Sequence, residues 1–174
     1  GYFDGVHCGH RMVLGSAVRY AAEHGLTPAA FTFELPGNQT LKGGRILSMA
    51  QKHARIESLG IDQSLEPPFG AFRDLSPEDF VRKVLVECFG ARAVFCGNNF
   101  TFGARAAGNV ERLRALCDPL GISVQIVPMA QYGSQAVSST RIRAALEEGR
   151  LDDANAMLGA PYAIDWTITH GKGI

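Results

Sequence analysis

Two histidines, His7 and His10, flank Gly9 near the start of the chain, where Gly1-Tyr2-Phe3-Asp4-Gly5-Val6 gives way to an amphipathic segment. One turn apart at a helix start, both rings can face the same ligand. A helix N-terminus offers unpaired N–H groups and the positive end of the macrodipole, and both favour anions. Gly9 has no side chain to hold an anion off the backbone. The arrangement suits a polyphosphate rather than a core. A phosphate beside the rings favours their imidazolium form.

A second set of groups occurs in Val137-Ser138-Ser139-Thr140-Arg141-Ile142-Arg143. Ser138, Ser139 and Thr140 bring hydroxyls to a helix start, where hydroxyls also serve as ordinary caps. Arg143, one turn inside, adds a planar fork matched to phosphate oxygens. Arg141 reads as a solvated helix charge. A third segment, Cys96-Gly97-Asn98-Asn99-Phe100-Thr101-Phe102-Gly103, sets an amide beside two aromatics on which a planar ring system could stack. Zinc is set aside: adjacent His7 and Cys8 are poorly placed to chelate one tetrahedral ion, and no second ligand pair stands at a suitable spacing.

These groups must be positioned by an alternating series of elements. Residues 10–24 carry Leu14, Ala17, Val18 and Ala21 at helical spacing, and Gly25 ends that helix. Pro28 to Phe33 reads as a buried strand, and residues 34–46 as a polar loop. Ser48 and Gln51 form a capping box for a helix to Leu59. Ser76-Pro77-Glu78-Asp79 starts another helix, ending at Gly90. Ala91–Cys96 and Ile122–Val127 are strands; Asn109–Leu116, Ser139–Glu148 and Leu151–Leu158 are helices. Alternating strands and helices call for a mostly parallel sheet with helices on both faces, a Rossmann-like α/β fold with ligands at the carboxyl ends of the strands. The GxGxxG fingerprint is absent, so a dinucleotide redox cofactor has no sequence support.

The 174 residues suffice for one domain with a real core. Lys+Arg and Asp+Glu balance at 17 each, so no global field draws nucleic acid or an anionic membrane. No apolar run reaches the roughly 20 residues of a membrane helix. Four cysteines without CxxC spacing point to free thiols in a reducing cytoplasm. The chain opens inside a motif and without Met, and the expectation is that a strand supporting the first loop precedes Gly1.

The HxGH pattern resembles the nucleotidyltransferase signature, and Gly1-Tyr2-Phe3-Asp4-Gly5-Val6-His7-Cys8-Gly9-His10 resembles its bacterial FAD synthetase form. Val137–Arg143 is similar to the ISSTxxR motif, with Val for Ile. Gly97–Gly103 is similar to the family's G-x-[DN]-F-x-F-G, and Phe72–Val81 to F-x-x-L-S-P-E-x-F-[VI]. The resemblance implies a nucleotidyltransferase fold and FMN adenylyltransferase activity: AMP passes from MgATP to FMN, giving FAD and pyrophosphate. It implies that His7, His10 and Arg143 are catalytic. Gly1, Tyr2, Phe3, Asp4, Gly9, Ser138, Ser139 and Thr140 would bind ATP. Asn99, Phe100, Phe102 and Phe72 would bind flavin. Asp4 has two readings, a local Asx cap or a group that organises magnesium and nucleotide.

One stretch departs from the family. Where F-x-P-H-P is common, this chain has Phe33-Glu34-Leu35-Pro36-Gly37, so the histidine that would serve the FMN phosphate is missing; Lys42 and Arg45 are the cations at hand. Leu158–Tyr162 and His170–Gly173 resemble the opening of a riboflavin kinase domain. Residues 1–158 are therefore read as the adenylyltransferase, and 159–174 as a linker and first strand of a second domain. The parent protein would also phosphorylate riboflavin; this chain would not. Two alternatives remain open at this point: a nucleotidyltransferase with another small phosphate acceptor, and a non-catalytic nucleotide- or flavin-binding module.

Overall fold

A computed structural model describes residues 1–35, 39–40 and 43–166. Eight short strands and six α-helices occur among them. Helix α1 spans Cys8–His24 and is followed by strand β1, Ala29–Phe31. Strands β2 (Gln39–Thr40) and β3 (Gly43–Gly44) form an antiparallel pair. Helix α2, Met49–Glu57, starts at the expected box, with the Ser48 side chain and the Gln51 side chain each bonding the other residue's backbone N–H. Strand β4, Gln63–Leu65, pairs parallel with β1. Its solvent-facing QSL sequence carries no apolar alternation, so sequence periodicity passes over it.

Helix α3, Pro77–Phe80, is capped by Ser76 and continues in π-helical geometry over Val81–Cys88. Strands β5 (Ala93–Gly97) and β6 (Ser123–Val127) pair parallel on either side of helix α4, Val110–Cys117. A hairpin of β7 (Gln131–Tyr132) and β8 (Gln135–Ala136) leads into helix α5, Ser139–Glu147, and then α6, Leu151–Leu158.

Two apolar cores result. One joins Val6, Leu14 of α1, Ala30 of β1, Ile56 of α2, Ile142 of α5 and Leu158 of α6. The other joins Phe80, Val84, Cys96, Phe102, Leu113 and Ile122. Helices thus cover both sides of the parallel strands. Among the described residues β1 pairs only with β4, and β5 only with β6. Residues of β1 (Ala29–Phe31) and β5 (Ala93–Gly97) line one cavity that also reaches the starts of α1 and α5.

Arg141 differs from its reading as a solvated charge. Its guanidinium donates to the backbone oxygens of Gln135, Ala136 and Tyr132, so it ties the β7–β8 hairpin to α5. Beyond α6, residues 160–166 form no strand. Gln51 Nε2 holds the Ala163 carbonyl at 3.1 Å, and Arg55 holds that of Pro161 at 3.1 Å. Pro36, Gly37, Lys42 and His170–Gly173 lie outside the described residues.

Candidate active site

The loop before α1 is set by unusual backbone. Phe3 and Val6 adopt positive φ of 55° and 40°. For a β-branched valine that conformation costs on the order of 1–3 kcal/mol and is held only by strong surroundings. Val6 is fully buried, with Ile46, Ile142 and Leu158 in the same core. The strain turns the chain so that His7 becomes the N-cap of α1, its Nδ1 accepting the His10 N–H at 3.4 Å.

His7 and His10 then stack, ring centroids 3.6 Å apart and planes 16° from parallel. Phe3 meets His10 edge-on at 5.2 Å. Gly9 makes the stack possible in a way its sequence context did not suggest. A Cβ there would stand 3.2 Å from His7 Cε1 and 3.3 Å from Nδ1, so the glycine clears room for the imidazole as well as for an anion.

His7 is 6% exposed, and burial lowers its pKa from 6.5 to about 4. Burial first, and the neighbouring His7 second, push His10 well below the usual histidine range. Without an anion both rings are therefore neutral at pH 7, in contrast to the imidazolium form expected beside phosphate. His7 can still donate: its Nδ1 is an acceptor, which leaves the proton on Nε2. His10 Nδ1 is buried with no hydrogen-bond partner among the described residues, a polar group ready for a ligand.

Asp4, 5% exposed, is neither a simple Asx cap nor a free carboxylate. Its Oδ1 accepts the Ile46 N–H at 3.0 Å, and its Oδ2 is paired with Arg143. Arg143 Nε also donates to the Gly44 carbonyl at 2.7 Å. Ser138 caps α5 by accepting the Arg141 N–H, and the Ser139 hydroxyl donates to the Asp4 carbonyl at 2.9 Å. The two loops are thus sewn together across 135 residues of sequence.

Gly1, Tyr2, Phe3, Asp4, Gly9, His7 and His10 line the cavity together with Ser138, Ser139, Thr140 and Arg143. Asn99 and Phe100 line the same cavity. Phe102 and Phe72 do not. Phe102 is buried against Phe80 and stacked under Phe100, with centroids 5.6 Å apart, so it supports the Asn99 loop from within the core. Gly108 is required beneath it, because a Cβ there would come within 2.6 Å of the Phe102 ring. Phe72 meets Phe31, a cavity-lining residue, at 5.0 Å.

Sequence reasoning did not find Lys52. This 3%-exposed lysine pairs with Glu66, which also pairs with His53. Burial opposes ionisation of Glu66, but the hydrogen bonds from Lys52 and His53 prevail and hold its carboxyl below the usual range. Lys52 Nζ donates to Thr32 Oγ1 at 3.1 Å, and Thr32 Oγ1 to the Tyr2 carbonyl at 3.3 Å; Nζ also lies 5.3 Å from the Tyr2 ring centroid. The available signal was its place one turn before Ile56 on the apolar face of α2.

The starts of α1 and α5 share one cavity on an α/β scaffold, an arrangement that suits a nucleotidyltransferase. The chain matches the FAD synthetase family over residues 1–141 and belongs to it. It is 33% identical over 177 residues to a bifunctional riboflavin kinase/FMN adenylyltransferase of Listeria monocytogenes, covering 98% of this chain and 56% of that protein. It is 29% identical to an FAD synthetase of the same organism, covering 99% of this chain and 72% of that one. A crystal structure of a macrolide-efflux protein from Streptococcus pneumoniae superposes with a TM-score of 0.81 at 28% identity, covering 93% of this chain and 63% of that one. The chain spans about half the length of the bifunctional relatives it matches. Among the described residues no helix is long and apolar enough to cross a membrane.

Proposed function

We propose that residues 1–158 transfer AMP from MgATP to FMN. The observation that carries the reading is the stacked His7–His10 pair in one cavity with Ser138, Ser139, Thr140 and Arg143. A phosphate oxygen of FMN attacks the α-phosphorus of ATP; a new P–O bond gives FAD, and the bond to pyrophosphate breaks. No side chain serves as a covalent nucleophile, so the protein contributes alignment and charge stabilisation.

His7 Nε2–H, His10 and the open N–H groups of α1 stabilise charge on the departing pyrophosphate. Arg143, with the hydroxyl-bearing start of α5, holds the outer phosphates, and Asp4 fixes the angle of that guanidinium. Asn99 and Phe100 receive the flavin end, with Phe72 and Phe102 supporting the aromatic wall behind them.

Magnesium arrives with ATP as part of the substrate. Asp4 is committed to Arg143 and Ile46, and no group of three or more His, Cys, Asp or Glu among the described residues could hold a metal ion. The four cysteines are free thiols, which fits a reducing cytoplasm where ATP and FMN occur.

The test is incubation of the purified chain with MgATP and FMN, with products separated by chromatography. FAD and pyrophosphate in equal amounts are expected. Binding of both substrates without product would reduce the protein to a binding module. AMP transfer to a different phosphate acceptor, with FMN ignored, would move it to another branch of the class. We assign the riboflavin kinase activity of the bifunctional relatives to chain outside residues 1–158, so riboflavin and MgATP alone are expected to give no FMN.

A further inference from the structure

The acceptor in the proposed reaction carries a phosphate monoester, and the phosphate-binding groups assigned so far serve the nucleotide. We propose that Arg45, with the Tyr2 hydroxyl, forms a separate seat for that monoester. The inference rests on the adenylyl-transfer reading for the identity of the ligand, and on the geometry around Arg45 for the site.

The backbone locks Arg45 beside the catalytic loops from both sides. The preceding residue, Gly44, accepts a hydrogen bond from Arg143 Nε at 2.7 Å, and the following residue, Ile46, donates its N–H to Asp4 at 3.0 Å. The Arg45 guanidinium is anchored by Nη2, which donates to the Leu35 carbonyl at 2.8 Å. Its Nε is buried and has no hydrogen-bond partner among the described residues. A guanidinium is always charged, and its N–H groups form a planar fork suited to phosphate oxygens. A buried donor without an acceptor demands an explanation, and an anionic ligand supplies one.

Charge and shape point the same way. The Asp4 carboxylate is engaged by Arg143 and Ile46, so it does not neutralise Arg45. Burial raises the pKa of the Tyr2 phenol, and the nearby guanidiniums of Arg45 and Arg143 oppose that rise. Tyr2 lines the cavity. Its ring also opens a half-buried aromatic shelf, with Phe33 at 5.1 Å and Phe69 and Phe72 each 5.3 Å beyond Phe33. A cation at one end of an aromatic-rich site suits a ligand that ends in a phosphate monoester. It also answers the missing histidine of the family's F-x-P-H-P stretch with a residue from the far end of the same loop.

The experiment compares FMN with riboflavin, which has the same ring and no phosphate. Binding of each is followed by flavin fluorescence in wild-type protein and in Arg45→Met. The substitution is expected to weaken FMN at least tenfold and to leave riboflavin binding and the KM for ATP within twofold of wild type. Unchanged FMN affinity, or an equal loss for both flavins, would overturn the seat. Wild-type protein provides a check that needs no variant: inorganic phosphate should compete with FMN and not with riboflavin, and a failure to discriminate also counts against Arg45. If wild-type protein bound FMN with this discrimination yet made no FAD, the adenylyl-transfer reading would fail and the phosphate seat would stand.

Discussion

Gly9→Ala separates fold from chemistry. The new Cβ would stand 3.2 Å from His7 Cε1 and 3.3 Å from His7 Nδ1, and its next neighbour, Ala130 Cβ, lies at an ordinary 3.9 Å. Carbon pairs prefer about 3.5–4.0 Å, so the strain falls on the His7 ring, which must yield by roughly 0.3–0.5 Å. That ring is stacked on His10 at 3.6 Å and caps the His10 N–H at an already long 3.4 Å. Two stability terms oppose each other. Alanine gains up to about 1 kcal/mol of helix propensity over glycine, and less in a first turn. A weakened cap loses about 0.5–1 kcal/mol. The melting temperature should therefore move by only a few degrees. Catalysis has no compensating gain. A displacement near 1 Å costs about a hundredfold, so a few tenths of an ångström should cost about tenfold in kcat/KM, or roughly 1.4 kcal/mol. Thermal melting monitored by circular dichroism, together with FAD formation measured by chromatography, tests both halves. A folded Gly9→Ala protein with kcat/KM within twofold of wild type would show that the position of the His7 ring does not govern turnover.

Arg143→Ala should unfold more readily as well as bind ATP poorly, because it leaves Asp4 buried with only the Ile46 N–H. Breaking a buried pair from one side costs about 3–5 kcal/mol, readable as a fall in the urea midpoint; an unshifted midpoint would remove Asp4 from the accounting. Lys52→Met should cost less, because Glu66 keeps its His53 partner, and Lys52→Met/Glu66→Met should recover part of that cost if the weakened pairing of Glu66 is the cause. The His7 shift predicts acid sensitivity. Its folded pKa, about 4, lies below the ordinary 6.5, so between these values the unfolded chain binds more protons than the native one. Stability is present in full above about pH 7 and is lost as pH falls towards 4, by up to about 3 kcal/mol for this one ring. Urea titrations across that range should show the loss, and His7→Gln should flatten the curve; an unchanged slope in that variant would place the acid sensitivity elsewhere.

Local signals were enough to read the helices and to find the two motifs that line the shared cavity. The Ser48–Gln51 box, the Ser76-Pro77 start and the Asn109 and Ser138 caps act within four residues of chain, so they can be recognised without a fold. The histidine pair and Ser138–Arg143 were legible for the same reason. Strand β4 was not, because a polar edge segment becomes a strand only through its partner β1.

The charges of the site also needed the tertiary structure. Asp4 and Arg143 are 139 residues apart, and nothing local to either reveals that one carboxylate and one guanidinium will be buried together. Arg141 and Phe102 looked available to solvent or ligand, yet one clamps a hairpin and the other fills a core, since contacts brought by distant segments decide burial. The protonation of His7 and His10 follows the same logic. Their spacing points to a candidate phosphate site; only the packing of Phe3, Val6 and the two stacked rings keeps both imidazoles neutral. Short-range stereochemistry is written residue by residue along the chain, whereas solvation and long-range pairing exist only once the chain has closed on itself.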